Sequence, residues 1–288
     1  MLGKLLKYDL RSVGKSWWIS MLTMIFASFS AAVAYRINSE ILLHSDASDL
    51  YVIIQAVAYL AFLLSVIVMG VCLISVSVMI YIRYFKHLFT DEGYLTFTLP
   101  VSRKQIFFSK MINAFVWTVL SYAVLAACLL VFVVISTPTV ENGLFAIDTF
   151  KSFFKMVLKE FKDRGFWMIV QGVLSILIIL ANIVLSTGVV YFCITLGSTV
   201  VKRGKIFVSF AVYYLLNMAY STVVQFVSAI SIVSFFVGYF NILSQLDFNV
   251  IDGAATLMLA VTLAIISTLS ALFYCLTLNI LERKLNLV

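Results

Sequence analysis

Charge is scarce in this chain: 11% of its 288 residues are Asp, Glu, Lys or Arg, against about 25% in a soluble domain. Hydrophobic residues make up 63%, and the mean hydropathy is +1.10. One globule cannot hide that much apolar surface from water, so the surrounding medium is lipid. That excludes soluble enzymes, nucleic-acid modules and disordered regulators. The net charge of +7 then speaks of membrane anchoring, with no nucleic-acid partner. Histidine is nearly missing, and His44 and His87 fall in loops on opposite sides of the membrane. No ionisable group lies inside a span to serve a catalytic serine as base. The same lack weighs against an ion-coupled carrier, which places such groups inside the bilayer. Proline occurs twice, at Pro100 and Pro138, both between spans, so no proline-broken helix frames an ion site at mid-membrane. Cys72, Cys128, Cys193 and Cys275 fall one per span, which reads as inert thiols and neither a disulfide nor a metal site. Gly14-Lys15-Ser16 imitates the end of a phosphate loop, but Asp9 stands where the pattern needs glycine.

What the chain has is uncharged runs: Ser16–Tyr35, Leu50–Ile82, Met111–Val140, Gly165–Val201, Ile206–Leu246 and Gly253–Leu281. Each reaches the roughly 20 residues that a helix needs to cross hydrocarbon. Lone apolar segments satisfy their backbone internally only as helices. The fold class expected is an all-α polytopic membrane protein forming one domain over 1–288. Six spans are expected, at about 17–35, 51–82, 105–136, 166–192, 206–226 and 254–280. As one helix the run Ile206–Leu246 would be roughly 61 Å long, about twice the hydrocarbon core. One span plus a re-entrant segment over 229–246 accommodates it. With both termini cytoplasmic, 14 of the 20 basic residues fall inside, as the positive-inside rule requires. Localisation is then a cell membrane.

Two amphipathic stretches flank these spans. Residues 1–16 set Leu2, Leu5, Leu6, Leu10, Val13 and Trp17 against Lys4, Lys7, Arg11 and Lys15. That pattern describes a helix on the inner surface feeding an uncleaved span, although Ala32-Val33-Ala34 imitates a signal cleavage site. Over 150–164, Phe150, Phe153, Phe154, Val157, Leu158 and Phe161 recur at helical spacing, opposite Lys151, Lys155, Lys159 and Lys162. That is a helix for the outer headgroup layer, or a solvated surface helix. Inside the spans, Asn182, Asn217 and Gln225 are the notable amides. They read either as hydrogen bonds between helices or as the lining of a translocation path.

The inner loop, 83–104, carries the most information. Thr90 before Asp91 and Glu92 has the form of a helix start, and Ser102 with Gln105 forms a capping box for the third span. Between them Tyr94, Leu95, Phe97 and Leu99 are an apolar cluster too short to span. Such a cluster, flanked by charge, either seats on a protein partner or folds onto its own inner face.

The stretch Asp91-Glu92-Gly93-Tyr94-Leu95-Thr96-Phe97-Thr98-Leu99-Pro100-Val101-Ser102-Arg103-Lys104-Gln105 resembles the cytoplasmic loop of ABC-2-type exporter permeases of Gram-positive bacteria. The layout of spans is similar too, although the amphipathic stretch 150–164 is not general in that family. The resemblance implies a permease subunit that exports an amphipathic or lipophilic substrate. Its partners would be a dimer of separate ATPases, which hold the ATP and Mg, and a second permease subunit, identical or related. It implies docking of the ATPase at Asp91, Glu92, Gly93 and Tyr94, with Arg103 and Lys104 nearby. The competing expectations are a non-transporting membrane sensor or assembly partner, and a secondary carrier.

Overall fold

The computed structural model describes residues 2–43, 49–90, 92–93, 98, 101–136, 145–201, 204–218, 221–222 and 248–283. Among them are six helices and no strand: α1 Leu2–Leu43, α2 Asp49–Phe89, α3 Arg103–Ser136, α4 Phe145–Val200, α5 Lys205–Met218 and α6 Phe248–Arg283. All but α5 contain a stretch long and apolar enough to cross a membrane. Helix α5 matches the first part of the expected fifth span; the rest of that span and the re-entrant segment lie outside the described residues.

Two boundaries differ from expectation. The amphipathic stretch 1–16 and the first span form one uninterrupted helix, and so do 150–164 and the fourth span, in the 56-residue α4. The backbone ladder is indifferent to whether the side chains it carries are charged. The one glycine at the second junction, Gly165, costs about 1 kcal/mol in a helix and does not break it.

The single domain expected packs as two compact units, 1–83 with 112–163, and 84–111 with 164–288. In the first unit, Val13, Trp17, Met21, Met24, Ser28 and Ala31 recur every three or four residues along α1 and are buried, a helical stripe facing its neighbours. Small hydroxyls join that stripe to α2: Ser20 Oγ lies 3.3 Å from Ser75 Oγ, Thr23 Oγ1 3.1 Å from Cys72 Sγ, and Ser30 Oγ 2.8 Å from Ser65 Oγ. Numbers rise on one side and fall on the other, so α1 and α2 run antiparallel. Toward α3 the order is parallel. Trp17 Nε1 donates to Ser121 Oγ (2.8 Å), and farther along Tyr35 packs on Phe132 at 5.7 Å between ring centres. Short polar groups between close helices are the common adhesive where lipid removes the hydrophobic drive.

The second unit is built on rings. Tyr84 of α2 stacks on Tyr191 of α4 at 3.8 Å, nearly parallel, and Phe107 of α3 packs against Tyr191 (6.2 Å) and Tyr274 of α6 (5.3 Å). Helix α4 runs parallel to α6, with Trp167 near Gly253 and Phe192 near Phe273. The turn from α4 to α5 passes through Gly204 at φ 78°, and the two helices then approach closely. A Cβ on Gly197 would sit 2.7 Å from Ser209 N and 2.8 Å from its Cα. Backbone cannot yield as a side chain can. Gly197→Ala is therefore expected to destabilise by about 1–3 kcal/mol or more, lowering the melting temperature in detergent by about 5 °C. A melt indistinguishable from wild type would show that α4 and α5 can part at no cost.

Candidate functional site

One end of the second unit gathers the segments on which the site expectation rests. The last turn of α2, the first of α3, the last of α6 and the first of α5 meet there through named bonds. Lys205 Nζ donates to the Phe89 carbonyl (3.5 Å), a cation on the negative end of α2. Arg103, first in α3, donates from Nη1 to the carbonyls of Leu281 (2.8 Å) and Glu282 (3.0 Å), closing the end of α6. Lys104 Nζ lies 3.6 Å from Glu282 Oε1. Ser102 caps α3 as expected: the Gln105 amide reaches Ser102 Oγ at 3.4 Å and Ser102 O at 2.9 Å, and the Ile106 amide reaches Ser102 O at 3.2 Å. Thr90 stands at a junction: its hydroxyl donates back to the Lys86 carbonyl (2.5 Å) at the end of α2, and its carbonyl accepts from the amide of Gly93, which with Glu92 is helical.

Of the expected docking residues, Glu92 is exposed, and its carboxylate lies 3.9 Å from His87 Nε2. Gly93 is buried; its amide donates to the Thr90 carbonyl (2.7 Å), and a Cβ there would stand 2.6 Å from the Leu88 carbonyl oxygen. The chain doubles back on α2 so tightly that only glycine fits. Lys104 and Arg103 are both exposed, and both are engaged with the end of α6. Asp91 and Tyr94 lie outside the described residues. Beneath these positions Tyr84, Leu88 and Phe107 are almost wholly buried. The arrangement is an exposed carboxylate and an exposed ammonium on an anchored base.

Two of the three expected path amides fall among the described residues. Asn182 is exposed on α4 and donates from Nδ2 to the Ile178 carbonyl of its own helix (3.2 Å), so this bond joins no second helix. Asn217 is exposed on α5, and Gln225 lies outside the described residues. The buried amide among the described residues is Asn113, 6% exposed, whose Oδ1 has no hydrogen-bond partner there. It shares a stripe of α3 with Trp117, whose Nε1 is likewise unpaired among the described residues, and with Ser121. The signal was present: amide, indole and hydroxyl recur every fourth residue at the start of an apolar run. Lys110, counted among the basic residues of the inner side, is buried two turns into α3.

In the first unit, α1 and α2 also enclose a groove of about 530 Å3 lined by Phe29, Val33, Ala34, Ile54, Val57 and Ala61 among others. Its hydroxyl, Ser30, is already bonded to the Ala27 carbonyl and to Ser65. Among the described residues no three of His, Cys, Asp and Glu cluster as metal ligands would. Comparison with family models, with curated proteins and with solved structures yields no match for the chain.

Proposed function

We propose that this chain is the membrane-spanning permease subunit of an ATP-binding-cassette exporter in a bacterial cytoplasmic membrane, with six spans and both ends inside. Two such subunits, identical or related, surround a path for an amphipathic or lipophilic substrate, and a separate ATPase dimer seats on the inner loops. The observation that carries the reading is the segment Asp91–Gln105 together with its mounting. Glu92 and Lys104 are displayed on a base tied to α2, α3, α5 and α6, so a push at the loop is not lost in slack. The groove between α1 and α2, with its one hydroxyl already engaged, favours hydrocarbon over polar cargo.

Affinity purification of the tagged chain from native membranes tests this. Wild type is expected to bring down a stoichiometric ATPase, and the Asp91→Ala/Glu92→Ala/Tyr94→Ala variant to lose it. An ATPase absent from both samples would leave an autonomous carrier or a sensor as the better reading.

A further inference from the structure

The proposed function leaves open how a displacement of the inner loop reaches the spans. Tyr84 is the last wholly buried ring before that loop, and it touches α4 twice. Its ring stacks on Tyr191 at 3.8 Å with 7° between the planes, and its hydroxyl lies 2.8 Å from Thr195 Oγ1. Thr195 donates its own proton to the Tyr191 carbonyl (2.7 Å), so Tyr84 is the donor of the pair. Tyr191 in turn donates to the Lys110 carbonyl of α3 at 3.4 Å. Every hydroxyl of the cluster is engaged, and Phe107 fills the remaining side.

Such a cluster has little give. A tyrosine ring has only two side-chain torsions, and packed interiors are stiff and transmit strain. A shift of the last turn of α2 must carry Tyr191 and Thr195 with it. Two residues on, Gly197 lies against the backbone of α5, which extends the rigid connection to a further helix.

We propose that Tyr84, stacked on Tyr191 and hydrogen-bonded to Thr195, is the positioning residue that passes displacement of the inner loop into α4. This rests on the exporter reading. The test uses the full-length chain co-purified with its ATPase in lipid nanodiscs. Hydrogen–deuterium exchange is followed in peptides covering 83–93 and 186–200, with and without ATP plus vanadate.

In wild type, nucleotide is expected to change exchange in both regions. In Tyr84→Leu the response at 83–93 should persist while that at 186–200 falls about fivefold, the low end of coupling between linked sites. Tyr84→Phe and Thr195→Val keep the stack and remove the bond between α2 and α4; Thr195→Val also loses the bond from Thr195 to the Tyr191 carbonyl within α4. Each should weaken the distant response about threefold, the worth of one hydrogen bond in a membrane protein, and together no further. If Tyr84→Leu does not assemble, the two milder variants decide, and wild-type responses in both overturn the inference. Loss of the ATPase from Tyr84→Phe overturns it too, since the residue would then act in docking. An ATPase that binds and moves the loop while wild-type α4 stays silent defeats this inference alone. A wild-type chain that brings down no ATPase defeats both readings.

Discussion

Trp17→Ala is expected to be among the most damaging single substitutions in the first unit. The indole is 5% exposed, packs on Trp117 at 5.0 Å and donates to Ser121 at 2.8 Å, so one side chain both fills and fastens the contact of α1 with α3. Truncating a buried tryptophan costs about 3–5 kcal/mol through lost contacts and the cavity left behind. For a chain of this size that is about 10 °C in melting temperature. Trp17→Phe keeps most of the bulk and loses the N–H, so it should cost about 1 kcal/mol, in the range of hydrogen bonds between membrane helices. Ser121 keeps a partner in that variant, because its hydroxyl already reaches the Trp117 carbonyl at 2.7 Å. Thermal unfolding in detergent, followed by the monodisperse fraction on size exclusion, separates the two. A Trp17→Ala protein melting within about 2 °C of wild type would mean that α1 and α3 do not rely on this contact.

Gly93→Ala should act on recognition more than on the bundle. The added Cβ meets the Leu88 carbonyl oxygen at 2.6 Å and its carbon at 2.9 Å. Both are backbone in the last turn of a helix, so relief comes only by opening the turn and losing the 2.7 Å bond from the Gly93 amide to Thr90. A strain of about 1–3 kcal/mol corresponds to roughly 5- to 150-fold in an equilibrium. Glu92 precedes this glycine directly and Tyr94 follows it, so under the proposed docking the expected result is a fall of that size in affinity for the proposed ATPase partner. Titration of purified ATPase onto nanodisc-held variant measures it, with the melting temperature as the control for folding. Undiminished affinity would mean that the partner reads some other part of the inner face.

Much of this architecture was legible in the composition. In hydrocarbon only a helix satisfies its own backbone, so Leu50–Ile82 and Gly253–Leu281 announced α2 and α6 to within a few residues or turns. Helix ends were less legible, because a charge such as Lys15 or Arg164 interrupts an apolar run without interrupting a hydrogen-bond ladder. Glycines were ambiguous for a related reason. Gly70 and Gly172 have nothing near the place of a Cβ, while Gly93 and Gly197 have backbone there, and only the neighbouring chain distinguishes them. Tyr84 and Tyr191 are 107 positions apart, and no local pattern pairs two aromatics across such a distance. Asn113 escaped because a lone amide near the edge of an apolar run reads as a border residue until its burial is seen.

The clasp between Arg103 and the last carbonyls of α6 has a practical side. It holds the exit of α6 beside the entry of α3, within reach of Lys104, so whatever is fused beyond Arg283 starts at the edge of the loop face. A fluorescent protein joined directly after Arg283 would crowd the face at which docking is proposed, and its linker would pull on the clasp. A C-terminal label is better kept to a few residues.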